Sequence, residues 1–224
     1  MGVHATGGYY SPNRNAWVRM KNATGAVYVD GYTCPGFKRR NGDGRMTQPN
    51  MTRTVGLALE GGGYRGMYTA GVLDVWMEHG LTCDHMVGVS AGAAFGYNFK
   101  SRQIGRAIRY NKAYCADKRY AGVASWLRTG DMFNADFAYH EVPIERDPID
   151  LEAYRACPMR FTCVCTDIET GKAVYHDLPY GDERDIEWIR ASSAIPVATR
   201  PVAIDGHKYL DGGVADSIPS AWLF

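Results

Sequence analysis

Between residues 54 and 98, short apolar runs alternate with segments of helical periodicity. Residues 54–59 (TVGLAL) form an apolar run typical of a buried strand, and residues 64–79 carry apolar side chains at helical spacing. A second apolar run covers residues 84–89, and the small-residue segment 91–98 continues as a helix. This order of strand, helix, strand and helix predicts a parallel sheet covered by helices.

The second half of the chain predicts more elements of both kinds and a hairpin. The expected elements are helices at 101–115 and 182–192 and strands at 160–166 and 173–176. Asp205-Gly206 separates two short apolar runs, which indicates a hairpin over residues 202–210. The hairpin would bring Asp211, Gly212 and Gly213 to the end of a strand.

The first 53 residues have a different character. They are rich in Gly, Tyr, Asn and Arg and show no sustained period, and turn signals at residues 41–44 (NGDG) predict a weakly β-like or poorly ordered extension. Eight Lys or Arg against two Asp give this segment a net charge of +6, so residues 54–224 carry −5. We therefore expect a basic extension over 1–53 and a compact domain over 54–224 whose charge does not suit nucleic acid.

The chain lacks the patterns of secretion and of membrane spanning. No run of about 18 apolar residues and no signal-peptide pattern occurs, so we expect a cytoplasmic protein that at most touches a membrane at its periphery. One basic run recurs at spacings of four, three and three, which predicts a single helix face: Arg102, Arg106, Arg109 and Lys112. Such a face is either solvated or a docking surface for anionic lipid.

The first glycine turn has two interpretations. Gly61, Gly63 and Gly66 satisfy G-x-G-x-x-G between a strand and a helix, as in dinucleotide-binding folds. That fold also needs an acidic residue about 20 positions later at the end of the second strand, whereas Asp84 lies at the beginning of that strand. Alternatively, Gly61, Gly62 and Gly63 present main-chain N–H groups to a developing oxyanion, which requires the close approach that glycine permits.

The second glycine turn favours the oxyanion interpretation. Gly88 and Gly92 flank Ser90 in a G-x-S-x-G pattern between a strand and a helix, which is typical of a nucleophile elbow. Neighbouring parallel strands would bring both turns to one edge of the sheet.

A serine nucleophile needs a proton acceptor, and the sequence leaves this choice open. No histidine follows Asp211, so the order of an α/β-hydrolase triad is absent. His176 and His207 remain candidates, with Asp167 or Asp177 as residues that would orient them. Asp211, in its glycine-flanked strand end, is the favoured direct base.

Three motifs in this order resemble the patatin-like phospholipase family: GGGYRG (61–66), GVSAG (88–92) and DGG (211–213). The intervening blocks LRTGDMF (127–133) and TDIETGK (166–172) are similar to the bacterial branch of that family, as is ASSAIP (191–196). The resemblance spans roughly residues 54–219.

The resemblance implies a three-layer α/β/α fold with a mostly parallel central sheet and hydrolysis of acyl esters in phospholipids or lysophospholipids. Ser90 is then the nucleophile, Asp211 the base, and Gly61, Gly62 and Gly63 the oxyanion hole. The supporting motif residues are Arg65, Gly66, Gly88, Gly92, Gly212 and Gly213. No metal or other cofactor is implied.

Other functions stay open at this stage. They are a His-dependent α/β-hydrolase, a nucleotide-binding protein and a catalytically idle fragment. Family members continue with further helices and strands after a stretch such as ADSIP (215–219), which SAWLF (220–224) does not resemble. The sequence thus leaves open a domain truncated at its C-terminus.

Overall fold

The computed structural model describes residues 7–11, 16–22, 26–32 and 53–223. The strands are β1 (Gly7–Ser11), β2 (Ala16–Asn22), β3 (Ala26–Tyr32), β4 (Arg53–Leu59), β5 (His85–Val89), β6 (Arg160–Asp167), β7 (Ala173–Asp177), β8 (Val202–Ile204) and β9 (His207–Asp211). The α-helices are α1 (Met67–Glu78), α2 (Ala91–Lys100), α3 (Arg106–Tyr114), α4 (Val123–Thr129), α5 (Leu151–Ala156) and α6 (Glu183–Ser192). A π-helical segment spans Asp136–Arg146, and 3-10 turns occupy Gly63–Gly66, Gly212–Val214 and Pro219–Leu223.

The described strands form one mixed sheet in the order β1-β2-β3-β4-β5-β6-β9-β8, with β7 also paired to β6. Parallel pairing is confined to the central strands β4, β5 and β6. The strands on both sides of this centre are antiparallel. The two crossovers between the parallel strands contain helices, as parallel connections require.

The central strands are apolar on both faces, and a different layer covers each face. Leu57, Leu59 and Met86 face the helical layer and belong to the main core, which includes Phe99 of α2 and Trp188 of α6. This alternation follows from the two-residue period of a strand.

The opposite face of the sheet is covered by the C-terminal turn. Ala58, Val87 and Val164 point to this face, where Trp222 and Leu223 pack against them. Trp222 also stacks on Tyr175 with ring centroids 5.1 Å apart. The predicted α/β fold, with layers on both sides of the sheet, is confirmed; truncation at the C-terminus stays a prediction.

The segment between α2 and β6 differs most from expectation. The predicted helix 101–115 begins only at Arg106, because Arg102 and Gly105 both have positive φ. Arg106 is 2% exposed and Arg109 is paired with Asp147, so the predicted single basic face does not form. Local patterns did not predict α4, α5 or the π-helical segment, because these elements are short or contain Pro143.

In the basic extension, the described residues pair as strands. β1, β2 and β3 form an antiparallel meander, and β3 pairs with β4 from Ala26↔Leu59 to Tyr32↔Arg53. The predicted turns at residues 41–44 lie outside the described residues. The division at residue 53 into an extension and a domain stays a prediction.

Candidate active site

Ser90 sits in a strained turn between β5 and α2. Its backbone has φ 53° and ψ −122°, which a residue with a side chain adopts only when its surroundings enforce it. Ser90 N–H donates to the hydroxyl oxygen of Ser192 at 2.9 Å, and Ser192 in turn donates to the Val164 carbonyl at 2.6 Å. The buried hydroxyl of Ser192 therefore ties the turn to α6 and to β6.

The glycines that flank this turn are required by close backbone approach. A Cβ at Gly88 would lie 2.8 Å from the backbone N and Cα of Ala93, and a Cβ at Gly92 would collide with the Leu59 carbonyl oxygen. Gly92 thus allows the start of α2 to pack directly on the end of β4. This contact brings the two predicted glycine turns together at one edge of the sheet.

The loop that follows β4 lies against Ser90. A Cβ at Gly61 would be 3.0 Å from Ser90 Cβ, so the first glycine touches the elbow. Gly62 and Gly63 have φ of 151° and 55°, values that glycine adopts without strain. The loop is closed by a hydrogen bond from Arg65 N–H to the Gly62 carbonyl at 3.1 Å.

The two remaining motif residues of this loop have different environments. Gly66 packs on α2, because a Cβ there would lie 2.7 Å from the Phe95 ring and 3.0 Å from Ala91 Cβ. Arg65 is exposed and lies beside Gly62, with its guanidinium 3.7 Å from the position of a Cβ on that glycine. Arg65 therefore flanks the glycine loop at its solvent side.

The strand register delivers Asp211 to the elbow. β9 runs antiparallel to β6 and pairs Asp211 with Cys165, next to Val164, which pairs with Val89. The Asp211 N–H donates to the Ala194 carbonyl and its carbonyl accepts from the Thr166 hydroxyl, each at 2.8 Å. Both backbone groups of Asp211 are thus held by neighbouring elements.

The two glycines after Asp211 complete this attachment. Gly212 passes so close to β6 that a Cβ would collide with the Val164 carbonyl oxygen. Gly213 N–H donates to Asp211 Oδ1 at 2.8 Å and orients the carboxyl group.

Ser90 and Asp211 meet in a largely desolvated position, where they are 6% and 8% exposed. Burial raises the pKa of the Asp211 carboxyl above its ordinary value of 3.8, and hydrogen bonds from the Ser90 side chain and the Gly213 N–H partly offset this rise. A carboxylate with a raised pKa is a stronger base than a solvated one.

A pocket of about 120 Å³ opens beside Ser90. Most of its surface is apolar, with walls from α2, α6 and the π-helical segment: Ala94, Phe95, Val142, Pro143, Ile186 and Ile189. Tyr64, Phe133 and Ile195 also line it, and Tyr64 and Ile195 are the more exposed of these. Its chemistry suits an apolar chain attached to a polar reacting group.

The alternative bases lie away from this pocket. Among the described residues, no histidine lines it. His176 stacks on Trp188 with ring centroids 3.9 Å apart, and burial lowers the pKa of its imidazole. His207 starts β9, four residues or about 13 Å along the strand from Asp211.

The acidic residues proposed to orient a histidine have structural partners. Asp167 accepts from the N–H groups of Glu169 and Thr170 and closes a turn, and its Oδ2 lies 3.7 Å from His207 Nδ1 at the start of β9. Asp177 accepts from Arg160 and Thr162.

Asp84, the residue considered for a dinucleotide, accepts from the Val55 N–H at 2.7 Å. It therefore lies at the edge of the sheet opposite the glycine loop, and the geometry does not favour dinucleotide binding.

Two residues near Ser90 were not recognised in the sequence. The ASSAIP block pointed to Ser192 only as part of a helix end, because its contact with Ser90 joins residues 102 positions apart. Tyr139 of the π-helical segment lines the pocket and hydrogen-bonds to Ser193, and burial raises the pKa of its hydroxyl to about 12. Tyr139 thus stays a neutral hydrogen-bonding group at neutral pH.

The described residues contain no cluster of His, Cys, Asp and Glu arranged to hold a metal ion. Within the same part of the chain, no helix has the length and hydrophobicity needed to cross a bilayer.

A family profile described as patatin-like phospholipase matches residues 57–221. The chain belongs to this family. The matched range contains the glycine loop, the elbow and Asp211, so the resemblance inferred from the motifs is confirmed.

The chain is also similar in sequence to individual proteins. The chain is 31% identical over 178 residues to an uncharacterized Escherichia coli protein, YjjU, covering 77% of this chain and 49% of the relative. It is 29% identical to an uncharacterized NTE family protein of Mycobacterium bovis, covering 75% and 44%. A lysophospholipase, nte1, of Emericella nidulans is 28% identical over 80% of this chain and 12% of its own length.

The chain thus spans about half the length of the first two relatives. Among solved structures, VipD from Legionella pneumophila is similar with a TM-score of 0.43 and 16% identity, over 83% of this chain and 51% of that one.

Proposed function

We propose that this chain is a lipid acyl hydrolase of phospholipase A or lysophospholipase type that cleaves carboxylic esters with Ser90 and Asp211. The observation that carries the proposal is the buried Ser90–Asp211 pair, in which Ser90 forms part of the wall of an apolar pocket. Membership of the patatin-like phospholipase family and the relatives named lysophospholipase support the lipid substrate.

The reaction proceeds through an acyl-enzyme. Asp211 accepts the Ser90 hydroxyl proton as Oγ attacks the ester carbonyl, and the carbonyl oxygen becomes an oxyanion. The N–H groups of the loop Gly61–Gly63 stabilise this charge, aided by the start of the helical segment that follows. When the tetrahedral intermediate collapses, the C–O bond to the alcohol breaks and the alcohol takes the proton from Asp211.

Hydrolysis of the acyl-enzyme repeats these steps with water. Asp211 accepts a proton from the water as its oxygen attacks the acyl carbonyl, and the bond to Ser90 Oγ breaks. The proton then returns to Ser90 Oγ and the fatty acid leaves. No metal or cofactor takes part in this scheme.

Fluorophosphonate labelling tests the nucleophile. The probe should attach to the peptide that contains Ser90, and Ser90→Ala should abolish both labelling and the turnover of p-nitrophenyl esters. His207→Ala is the matched test of the base, because this side chain is 55% exposed at the far end of β9. Near-normal activity of Asp211→Asn together with loss of activity in His207→Ala would overturn the assignment of the base.

An exposed apolar patch, formed by α4 and the segment around Val197, supports contact with a lipid surface. Val123 and Leu127 of α4 are 64% and 75% exposed, and Val197 is 88% exposed with a positive φ of 70°. Trp126 Nε1–H donates to the Val197 carbonyl at 3.2 Å and joins the two segments. The positive φ strains the backbone at Val197, and the apolar side chain of this residue is nevertheless exposed to solvent.

We propose that this patch contacts the surface of a phospholipid membrane, from which the substrate enters the pocket. In the Ser90→Ala background, Leu127→Asp should reduce co-sedimentation with phosphatidylcholine–phosphatidylglycerol vesicles several-fold. Val75→Asp is the control, because Val75 is a half-exposed valine of α1, outside this patch. Equal vesicle binding by the two variants would refute the assignment.

A further inference from the structure

The pocket beside Ser90 follows one face of α2. Ala91, Ala94 and Asn98 all line it, and their spacing of three and four residues places them on one side of the helix. Ser90 occupies the N-cap position of the same helix. The pocket therefore runs from the reacting hydroxyl along the helix axis, with small side chains as its floor.

Polar side chains close the far end of the pocket. Arg106 is 2% exposed, and its Nη1 donates to Asn98 Oδ1 at 2.6 Å, while Nε donates to the Asp147 carbonyl at 3.0 Å. Tyr110 is hydrogen-bonded to both Asn98 and Asn111.

These polar groups are held by one another and by the backbone. Asn98 Nδ2 donates to the Ala94 carbonyl and Asn111 Nδ2 to the Ala107 carbonyl, each at 2.9 Å. An alkyl chain that pushed past Asn98 would leave several buried hydrogen-bonding groups without partners, at a cost of about 1–3 kcal/mol for each group. This cluster acts as a rigid end to the pocket.

The helix also provides a measure of the depth of the pocket. The eight residue steps from Ser90 to Asn98 span about 12 Å at 1.5 Å per step. A fully extended chain advances about 1.2 Å per single bond, since a residue with three backbone bonds covers at most about 3.6 Å. About ten carbons therefore fit between the reacting carbonyl and the polar end.

We propose that the site selects medium-chain acyl groups of about six to ten carbons, with Asn98 and Arg106 setting the upper limit. This inference rests on the proposed esterase function. It adds a substrate class: lipids or lysolipids whose cleaved acyl chain is shorter than that of common membrane phospholipids.

A series of p-nitrophenyl esters from acetate to palmitate tests the limit. In the wild-type protein, kcat/KM should rise about fourfold for each buried methylene up to octanoate or decanoate and then fall for laurate and palmitate. A kcat/KM that continues to rise through palmitate would overturn the chain-length limit alone. Absence of turnover with every ester, together with absence of fluorophosphonate labelling, would overturn the proposed function and this inference with it.

Ala94→Leu tests whether the pocket along α2 sets the limit on acyl chain length. Ala94 lies about 6 Å along the helix from Ser90, so a leucine there should shift the preferred ester to acetate or butyrate and lower octanoate turnover at least tenfold relative to acetate. Ala113→Leu introduces the same side chain on the exposed part of α3 and should keep the wild-type profile. If the leucine variant does not fold, Ala94→Val is a smaller substitution that should shift the ester preference in the same direction. An unchanged profile in the folded variant would refute the assignment.

Discussion

Ser192 provides the sharpest test of how this fold holds its nucleophile. Its side chain is fully buried and accepts from the Ser90 N–H at 2.9 Å while it donates to the Val164 carbonyl at 2.6 Å. Ser192→Ala would leave both backbone groups without this partner. Each buried group left unpaired costs about 1–3 kcal/mol, so for the two groups we expect the free energy of unfolding to fall by about 2–6 kcal/mol.

The same substitution should lower activity. The hydrogen bond from Ser192 helps to hold Ser90 at φ 53°, and without it the strained turn can relax. A displacement of the nucleophile by about 1 Å costs on the order of 10² in rate, so kcat for p-nitrophenyl butyrate should fall about 10- to 100-fold. Urea unfolding at constant m-value and steady-state kinetics measure the two effects.

Ser125→Ala is the matched control for this experiment. Ser125 is also fully buried, and its hydroxyl donates to the Asp131 carbonyl at 2.9 Å without a link to Ser90. We expect a loss of about 1 kcal/mol in stability and an unchanged kcat. The reasoning would be refuted if Ser192→Ala lost no more stability than Ser125→Ala and kept the wild-type kcat.

Three further predictions concern the proposed base and the glycine contacts. Asp211→Asn should lower kcat roughly 10²- to 10⁴-fold and yet raise the melting temperature at neutral pH. The pKa of Asp211 is higher in the folded than in the unfolded state, so ionisation of this carboxyl destabilises the native state as pH rises above about 3.8. A lower melting temperature of the variant would contradict this. Because Asp211 acts as a base only when it is ionised, wild-type kcat/KM should rise with pH through the raised pKa of this carboxyl and then level off. A flat pH profile down to pH 4 would exclude a raised pKa. Gly92→Ala should destabilise the fold by about 3 kcal/mol or more, because its Cβ would meet the Leu59 carbonyl oxygen. Gly71→Ala in α1 should instead stabilise the fold by about 0.5–1 kcal/mol, because no atom lies within 4 Å of its Cβ. Equal urea midpoints for the two variants would refute the contact at Gly92.

Local patterns predicted the elements that carry the motifs. The strand at 54–59 is β4, the strand at 84–89 is β5, and the hairpin around Asp205-Gly206 is β8 and β9. These predictions succeeded because apolar runs and turn residues act over a few positions. The helix expected at 101–115 begins five residues later, because positive φ at Arg102 and Gly105 depends on packing as well as on local propensity.

The motif residues of the candidate site were predictable from the sequence, whereas the residues that hold them in place were not. Glycines at 88 and 92 and at 212 and 213 mark places where backbone meets backbone, and such a requirement is visible in a motif. By contrast, the hydroxyl of Ser192 resembles any serine at the end of a helix. Its contact with Ser90 exists only after α6 packs on β5 and β6.

The sequence by itself determined the identity of the two glycine turns, the serine between them and the aspartate at a strand end, because each depends on local backbone geometry. Only the tertiary structure decided that β9 runs antiparallel to β6 and so brings Asp211 to Ser90. It alone also decided that Arg106 leaves the surface and lines the pocket, hydrogen-bonded to Asn98. The physical reason is that strand order and burial follow from packing between distant segments, which no local pattern encodes.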